Sequence, residues 1–312
     1  MRICSLVPGA TEVVALLGLS HDLVGISHEC DYPETIRHAP VVVQPTFDSA
    51  VMDSDAIDRQ VRAQASSGQK LYEVDGQALI DARPDVILAQ DVCHVCAVTA
   101  HQLEQTIATL PSRPQILTLD PRSLKAVIDD VERIGQAVGE PVRGRVLAES
   151  LSGRLRTVEG KHRSLPRPRV LCLEWLSPLY VGGHWVPEMV EIAGGQDVLG
   201  CAGQPSRQVS WQEVHAAAPQ IVVLMPCGFS IERTVAELRQ LSRTDHDWSQ
   251  QLSLWPKTDI VDASSYFSRP GPRLVDGVEL LGDIISGAVA AGCNSSMIRD
   301  VSGSLALLGS SR

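Results

Sequence analysis

Aromatic side chains are scarce in this sequence: five Trp, four Tyr and three Phe among 312 residues. Long apolar runs are missing as well. No stretch approaches the ~18 residues that a membrane-crossing helix needs, so no membrane span is expected. Positive charge is in short supply, with 27 Lys and Arg against 37 Asp and Glu and a net charge of −10. That balance excludes nucleic acid or an anionic membrane surface as the main partner, because both require a basic footprint. There is no low-complexity tract to suggest disorder. Catalytic signatures are absent too: no G-x-S-x-G elbow, no Walker A loop, no evident pair of cleft carboxylates. "VGGHW" (181–185) offers two glycines of a dinucleotide fingerprint but lacks the third. The protein is therefore expected not to be an enzyme. The opening "MRICSLVPGATEVVALLG" has neither the charged lead-in nor the apolar core of an export signal. Taken as written, it predicts a cytoplasmic protein with reduced thiols, or a periplasmic or extracellular one if the start is truncated.

What is present is a regular alternation of strand and helix patterns, the mark of an α/β fold with mostly parallel sheets. The chain is long enough for two domains with separate cores. In the first half, strands are expected at 2–8, 22–27, 85–90 and 115–120. Helices are expected at 10–19, 54–67, near 97–109 and from Ser123 to about Val138. The second half restarts with strands at 169–175, 220–227 and 259–264 and helices at 187–195, 211–219, 230–242 and 272–286. Three pieces match between the halves. "LIDARPDVILAQDVC" parallels "VHAAAPQIVVLMPC", for example: helix end, Pro, buried strand, Cys. Between them, Val142, Val146, Leu147, Leu151, Leu155 and Val158 recur at helical spacing. Pro141 suits a first turn, and "PRP" (166–168) ends the pattern.

The expected architecture is thus two Rossmann-like lobes, 1–140 and 166–286, joined by one long bridging helix at 141–165, with a loose tail at 287–312. Ligands of open parallel sheets bind beyond the carboxyl ends of the strands. The loops there hold seven of the twelve aromatic residues: Tyr32, Trp175, Tyr180, Trp185, Phe229, Tyr266 and Phe267. Cys93, His94, Cys96, His184 and Arg269 share those loops. Such a concentration suits a large, flat or partly apolar ligand.

"SLVPGATEVVALLGL", "VGISHECDYP", "ARPDVIL", "PLYVGGHWVPEMVEIAGG" and "SSYFSRPGPRL" together resemble the cobalamin-binding branch of the helical-backbone (class III) ABC-transporter substrate-binding proteins, relatives of the siderophore and haem binders. The resemblance spans roughly residues 2–286. It implies a cobalamin-like corrinoid or another metal chelate held in an inter-lobe cleft, small hinge motion, and delivery to an ABC permease if the protein is exported. Tyr32 falls on the family's ligand-facing "DYP" tyrosine, and Tyr266 and Phe267 fall on its aromatic pair before the last helix. Glu73 (or Asp75) and Glu213 are the nearest match to its permease-docking acids. Without a leader, the protein would bind or store the ligand in the cytosol. An exported siderophore binder with a misassigned start is a further reading.

The motif "CHVC" (93–96) departs from that pattern and stays open. With Cys30 and His28 from "SHEC", Cys93 and Cys96 could make a zinc or Fe–S site, which is the runner-up reading of the whole chain as a cytosolic metal-binding protein or enzyme. They could instead form a redox pair at a helix start, or be small buried thiols. Cys4, Cys172 and Cys227, in or at the ends of strands, are expected to be core residues.

Overall fold

Short strands whose residues are buried on both faces organise each half of the chain, as expected for parallel sheets covered by helices. The computed structural model describes residues 1–91, 106–108, 110–289 and 295–302. The chain divides into two units, one of Met1–Met52, Arg59–Ser152 and Pro270–Pro272, the other of Asp53–Asp58, Gly153–Arg269 and Arg273–Arg312.

The first unit is built on β1 (Ile3–Ser5), β2 (Leu23–Ser27), β3 (Val41–Pro45), β4 (Tyr72–Val74), β5 (Val86–Gln90) and β6 (Gln115–Leu119). Their order is β4-β3-β2-β1-β5-β6, parallel throughout except for β4 against β3. The helices are α1 (Pro8–Leu16), α2 (Ser54–Ser67, whose residues up to Asp58 belong to the second unit), α3 (Gly76–Ala82) and α4 (Leu124–Ala137). Pro8 opens α1, where its missing N–H costs nothing. Asp75 and Ser123 cap α3 and α4 by accepting from Ala78 N and Ala126 N.

Helix α5 (Pro141–His162) passes from the first unit into the second at Ser152–Gly153. Its expected apolar stripe is only half correct. Leu151 and Val158 are buried, whereas Val142 and Val146 are 72 % and 60 % exposed. The start of α5 packs on α4 through glycine instead: a Cβ on Gly135 would meet the Gly144 Cα at 2.8 Å. A backbone contact that close turns the two valines to the outer side.

The second unit holds β7 (Arg169–Leu176), β8 (Leu179–Val181), β9 (Gln196–Asp197), β10 (Arg207–Gln208), β11 (Ile221–Leu224), β12 (Thr258–Val261) and β13 (Ile298–Asp300). The order is β10-β8-β7-β11-β12-β13, with β9 beside β7. The β7–β11–β12 core is parallel, and β8, β10 and β13 run antiparallel to their neighbours. Its helices are α6 (Val186–Ile192), α7 (Trp211–Ala217), α8 (Ile231–Thr244), α9 (His246–Leu254), α10 (Ala263–Tyr266) and α11 (Leu274–Ser286). Strand β13 lies within the stretch expected to be a loose tail. Trp211, Trp248 and Trp255 form their own cluster, with ring centroids 5.1–6.0 Å apart, inside this unit's core.

The repeat between the halves extends to individual hydrogen bonds. Helices α3 and α7 both end on a left-handed residue before proline, Arg83 (φ 40°) and Ala218 (φ 41°). A residue preceding proline is pushed out of the right-handed helical region, so each helix stops there. Arg2, just before β1, donates from Nε to the Ala82 carbonyl at 2.9 Å. Arg169, at the start of β7, donates to the Ala217 carbonyl from Nε at 3.0 Å and Nη2 at 2.5 Å.

Candidate functional site

In the second unit, β7 and β8 form a hairpin through Ser177-Pro178, whose peptide bond is cis. Trp175 and Tyr180 are directly opposed in its register, which places both side chains on one face. Trp175 meets Phe229 edge-on, with centroids 5.3 Å apart at 66°, and the Arg233 guanidinium lies 3.8 Å from the Phe229 ring centroid. The Trp175 indole donates from Nε1 to the Ser54 carbonyl at 3.1 Å.

The loop after β8 is braced from beside it. Gly183 admits no side chain, because a Cβ would sit 2.3 Å from the Ser206 nitrogen. His184 has φ 50°, in the left-handed region that few non-glycine residues occupy. Its nitrogen donates to the Gln204 carbonyl at 2.6 Å and its carbonyl accepts from Gly203 N at 2.9 Å, so both main-chain groups pin it. Ser206 Oγ donates to Glu174 Oε2.

The expected aromatic set divides in two. Trp175, Tyr180, His184, Tyr266 and Arg269 are half-buried and keep surface at the carboxyl ends of the strands. Trp185, Phe229 and Phe267 do not, being 6 %, 1 % and 2 % exposed. Trp185 Nε1 donates to the Phe267 carbonyl at 2.8 Å, and Phe229 lies between Trp175 and Arg233. These three shape the loops from beneath and leave little surface for a ligand. The Arg273 guanidinium lies 5.8 Å from the Tyr266 ring centroid.

In the first unit, Tyr32 is half-exposed beside a cis Tyr32-Pro33 bond. Cys30, expected at the rim with the metal ligands, is buried. Its sulfur lies 3.1 Å from Thr11 Oγ1 and 3.8 Å from the Ser5 carbonyl, so it is packed against β1 and α1. His28 Nδ1 lies 3.3 Å from the Val43 carbonyl, and its Nε2 lies 3.3 Å from Glu29. Cys93, His94 and Cys96 lie outside the described residues. Among the described residues, no three His, Cys, Asp or Glu side chains are grouped so as to hold a metal ion.

Cys4 and Cys172 are core residues as expected, and desolvation drives both thiols up, Cys4 to about 12. Cys227 is not: β11 ends at Leu224, and Cys227 lies past Pro226 on the exposed turn. Of the expected docking acids, Glu73 is exposed on β4. Glu213 serves its own helix. It accepts from Ser210 N at 2.9 Å in a capping box and pairs with Arg207 at 2.9 Å. These bonds, the Ser210 backbone first, hold its carboxyl below the usual range.

Ser54, Arg233 and Glu237 join the Trp175 set without standing in any recognisable sequence motif. The available signal was the polar stripe Arg233, Glu237 and Gln240 at i, i+4 and i+7 along α8.

A family model for periplasmic binding proteins matches residues 3–250. The vitamin B12-binding protein of Vibrio vulnificus (strain YJ016) is 26 % identical over 284 residues, 89 % of this chain and 87 % of that protein. That of Yersinia pestis (strain Pestoides F) is 25 % identical over 278 residues, 88 % and 82 % of the two chains. Among solved structures, the periplasmic vitamin B12 binding protein BtuF of Vibrio cholerae superposes with a TM-score of 0.64 at 20 % identity, covering 92 % of this chain and 97 % of that one. The apo periplasmic heme-binding protein RhuT from Roseiflexus sp. RS-1 gives 0.66 at 22 % identity, covering 92 % and 98 %. At such identities the structural likeness establishes the two-unit α/β fold.

Proposed function

Because the chain belongs to the periplasmic binding protein family, we propose that it is a non-catalytic binding protein for a cobalamin-like corrinoid or a related metal chelate. The observation that carries this reading is the surface formed by Trp175 and Tyr180 on one face of the β7–β8 hairpin. Two aromatic residues opposed across the hairpin at the carboxyl end of β7 suit a flat, partly apolar macrocycle. The curated relatives named for vitamin B12 binding support the corrinoid, and the heme-binding fold neighbour makes haem the natural competitor.

On this reading His184, Tyr266 and Arg269 surround the ligand in the second unit. Tyr32, Cys93, His94 and Cys96 belong to the contact set on sequence grounds. The metal enters as part of the cargo, and the zinc or Fe–S alternative has no support among the described residues. Among the described residues no helix is long and apolar enough to cross a membrane, and the partner is an ABC permease. The family's name points to the periplasm, so we place the protein there in preference to the cytosol.

The test is titration of anaerobically purified protein with cyanocobalamin and, separately, hemin. Binding is followed by calorimetry and the visible spectrum, with metal content measured on the same sample. Saturable one-to-one binding of cyanocobalamin, weakened by Trp175→Ala, is the expected result. Tighter hemin binding would reassign the cargo. Protein that arrives with stoichiometric zinc or iron and binds neither probe would overturn the reading.

A further inference from the structure

We infer that Ser54 and Glu237 are positioning residues that set the Trp175 indole for the ligand. The inference rests on the function proposed above. All the groups involved belong to the second unit.

Trp175 has one indole donor, and the Ser54 carbonyl takes it at 3.1 Å. Ser54 is fully buried, and its other two polar groups are committed to one carboxylate oxygen. Its backbone N–H donates to Glu237 Oε1 at 2.9 Å and its hydroxyl donates to the same atom at 2.5 Å. Glu237 is itself buried on α8. Hydrogen bonds to a carboxylate are shorter and roughly twice as strong as neutral ones, so this carboxylate fixes where the Ser54 carbonyl points. One helical turn earlier, Arg233 lies on the Phe229 ring that supports Trp175. One turn later, Gln240 Nε2 donates to Asp53 Oδ2 at 3.0 Å.

A single face of α8 therefore holds both members of the aromatic pair, Phe229 directly and Trp175 through Ser54. Neither the β7–β8 hairpin nor the turn after β11 contributes a hydrogen bond to the indole. Without the anchor the indole is free to rotate about its side-chain bonds, and its ordering is then charged to ligand binding. The usual cost of immobilising one such side chain corresponds to about 2–12-fold in Kd.

The experiment uses full-length protein labelled with 5-fluorotryptophan. The Trp175 fluorine resonance is assigned by its loss in Trp175→Phe, and cyanocobalamin affinity is measured on the same variants. Glu237→Ala is expected to shift and broaden the Trp175 line, leave the lines of Trp211, Trp248 and Trp255 in place, and weaken binding about 3–10-fold. Glu237→Gln keeps an acceptor for the Ser54 N–H and is expected to restore most of both readouts. Ser54→Ala, which removes only the hydroxyl, should fall between them and guards against a Glu237→Ala variant that fails to fold. Weakened binding with an unmoved Trp175 line would overturn the inference, as would a moved line with unchanged affinity. If wild-type protein bound no cyanocobalamin, the functional reading would fall and the ligand half of this inference with it; the Trp175 line would still decide the anchoring.

Discussion

The indole Nε1–H of Trp185 donates to the carbonyl oxygen of Phe267 at 2.8 Å, across 82 residues of chain. Both residues are buried, and the bond ties the glycine loop after β8 to the segment that carries Tyr266. Trp185→Phe keeps most of the ring volume but leaves a buried carbonyl without its donor. A loss of about 1–3 kcal/mol is expected, measured by urea unfolding with the change read from the midpoint at constant m-value. An unchanged midpoint would show that the carbonyl finds another donor.

Gly183→Ala tests the bracing of that loop. The new Cβ would lie 2.3 Å from Ser206 N and 2.6 Å from the Gln204 carbonyl, and main-chain atoms cannot rotate out of the way. The 203–206 segment must move and the His184–Gln204 bond must break. Overpacking of this kind costs about 1–3 kcal/mol. Chelate affinity is expected to fall as His184 leaves its position, with calorimetry as the check.

The arginines at the two sheet starts make a matched pair. Arg169→Met removes two bonds to the Ala217 carbonyl at the end of α7, and Arg2→Met removes the corresponding bond to Ala82 at the end of α3. A cation at a helix C-terminus also favours the helix dipole. Each change is expected to destabilise by about 1–2 kcal/mol, with Arg169→Lys recovering part of it. Equal stability of Arg169→Met and wild type in urea would show the bonds to be dispensable.

Asp259 makes stability depend on pH. Its side chain is buried on β12, and among the described residues neither oxygen has a hydrogen-bond partner. Desolvation pushes the carboxyl up to about 6, with repulsion from Asp300 adding to it and Lys257, 3.9 Å away, opposing it. Below pH 4 the group is protonated in both the folded and unfolded chains. As pH rises from 4 to 6 the unfolded chain loses the proton first, so folded stability falls, and above pH 6 the full penalty of about 2–3 kcal/mol is in place. Asp259→Asn should raise Tm at pH 7.5 and leave it nearly unchanged at pH 4. A variant no more stable than wild type at pH 7.5 would contradict the burial argument.

Local chemistry made the elements legible. Ser123, Ser210 and Ser230 each stand at a helix start and accept from the amide three residues on, and the Pro84 and Pro219 stops fall where the "ARP" and "AAP" patterns put them. What escaped was short or dependent on distant partners. β3, β4, β8, β9, β10 and β13 are two to five residues long and lack the run of four or more buried residues that marks β5, β7, β11 and β12. Val142 and Val146 fit the helical stripe of α5, yet a glycine contact with α4 decided which side of the helix faces inward.

The sequence by itself determined the α/β alternation, the repeat between the halves and the gathering of aromatic residues into strand-end loops. All three follow from interactions between residues a few positions apart. Only the tertiary structure decided which of those aromatic rings keep a surface. Trp185 is buried through Phe267, Cys30 through Ser5 and Thr11, and Trp175 is oriented through Ser54, 121 residues away. A loop aromatic reads the same in sequence whether it faces a core or a ligand, because the partner that buries it is supplied by a distant part of the chain.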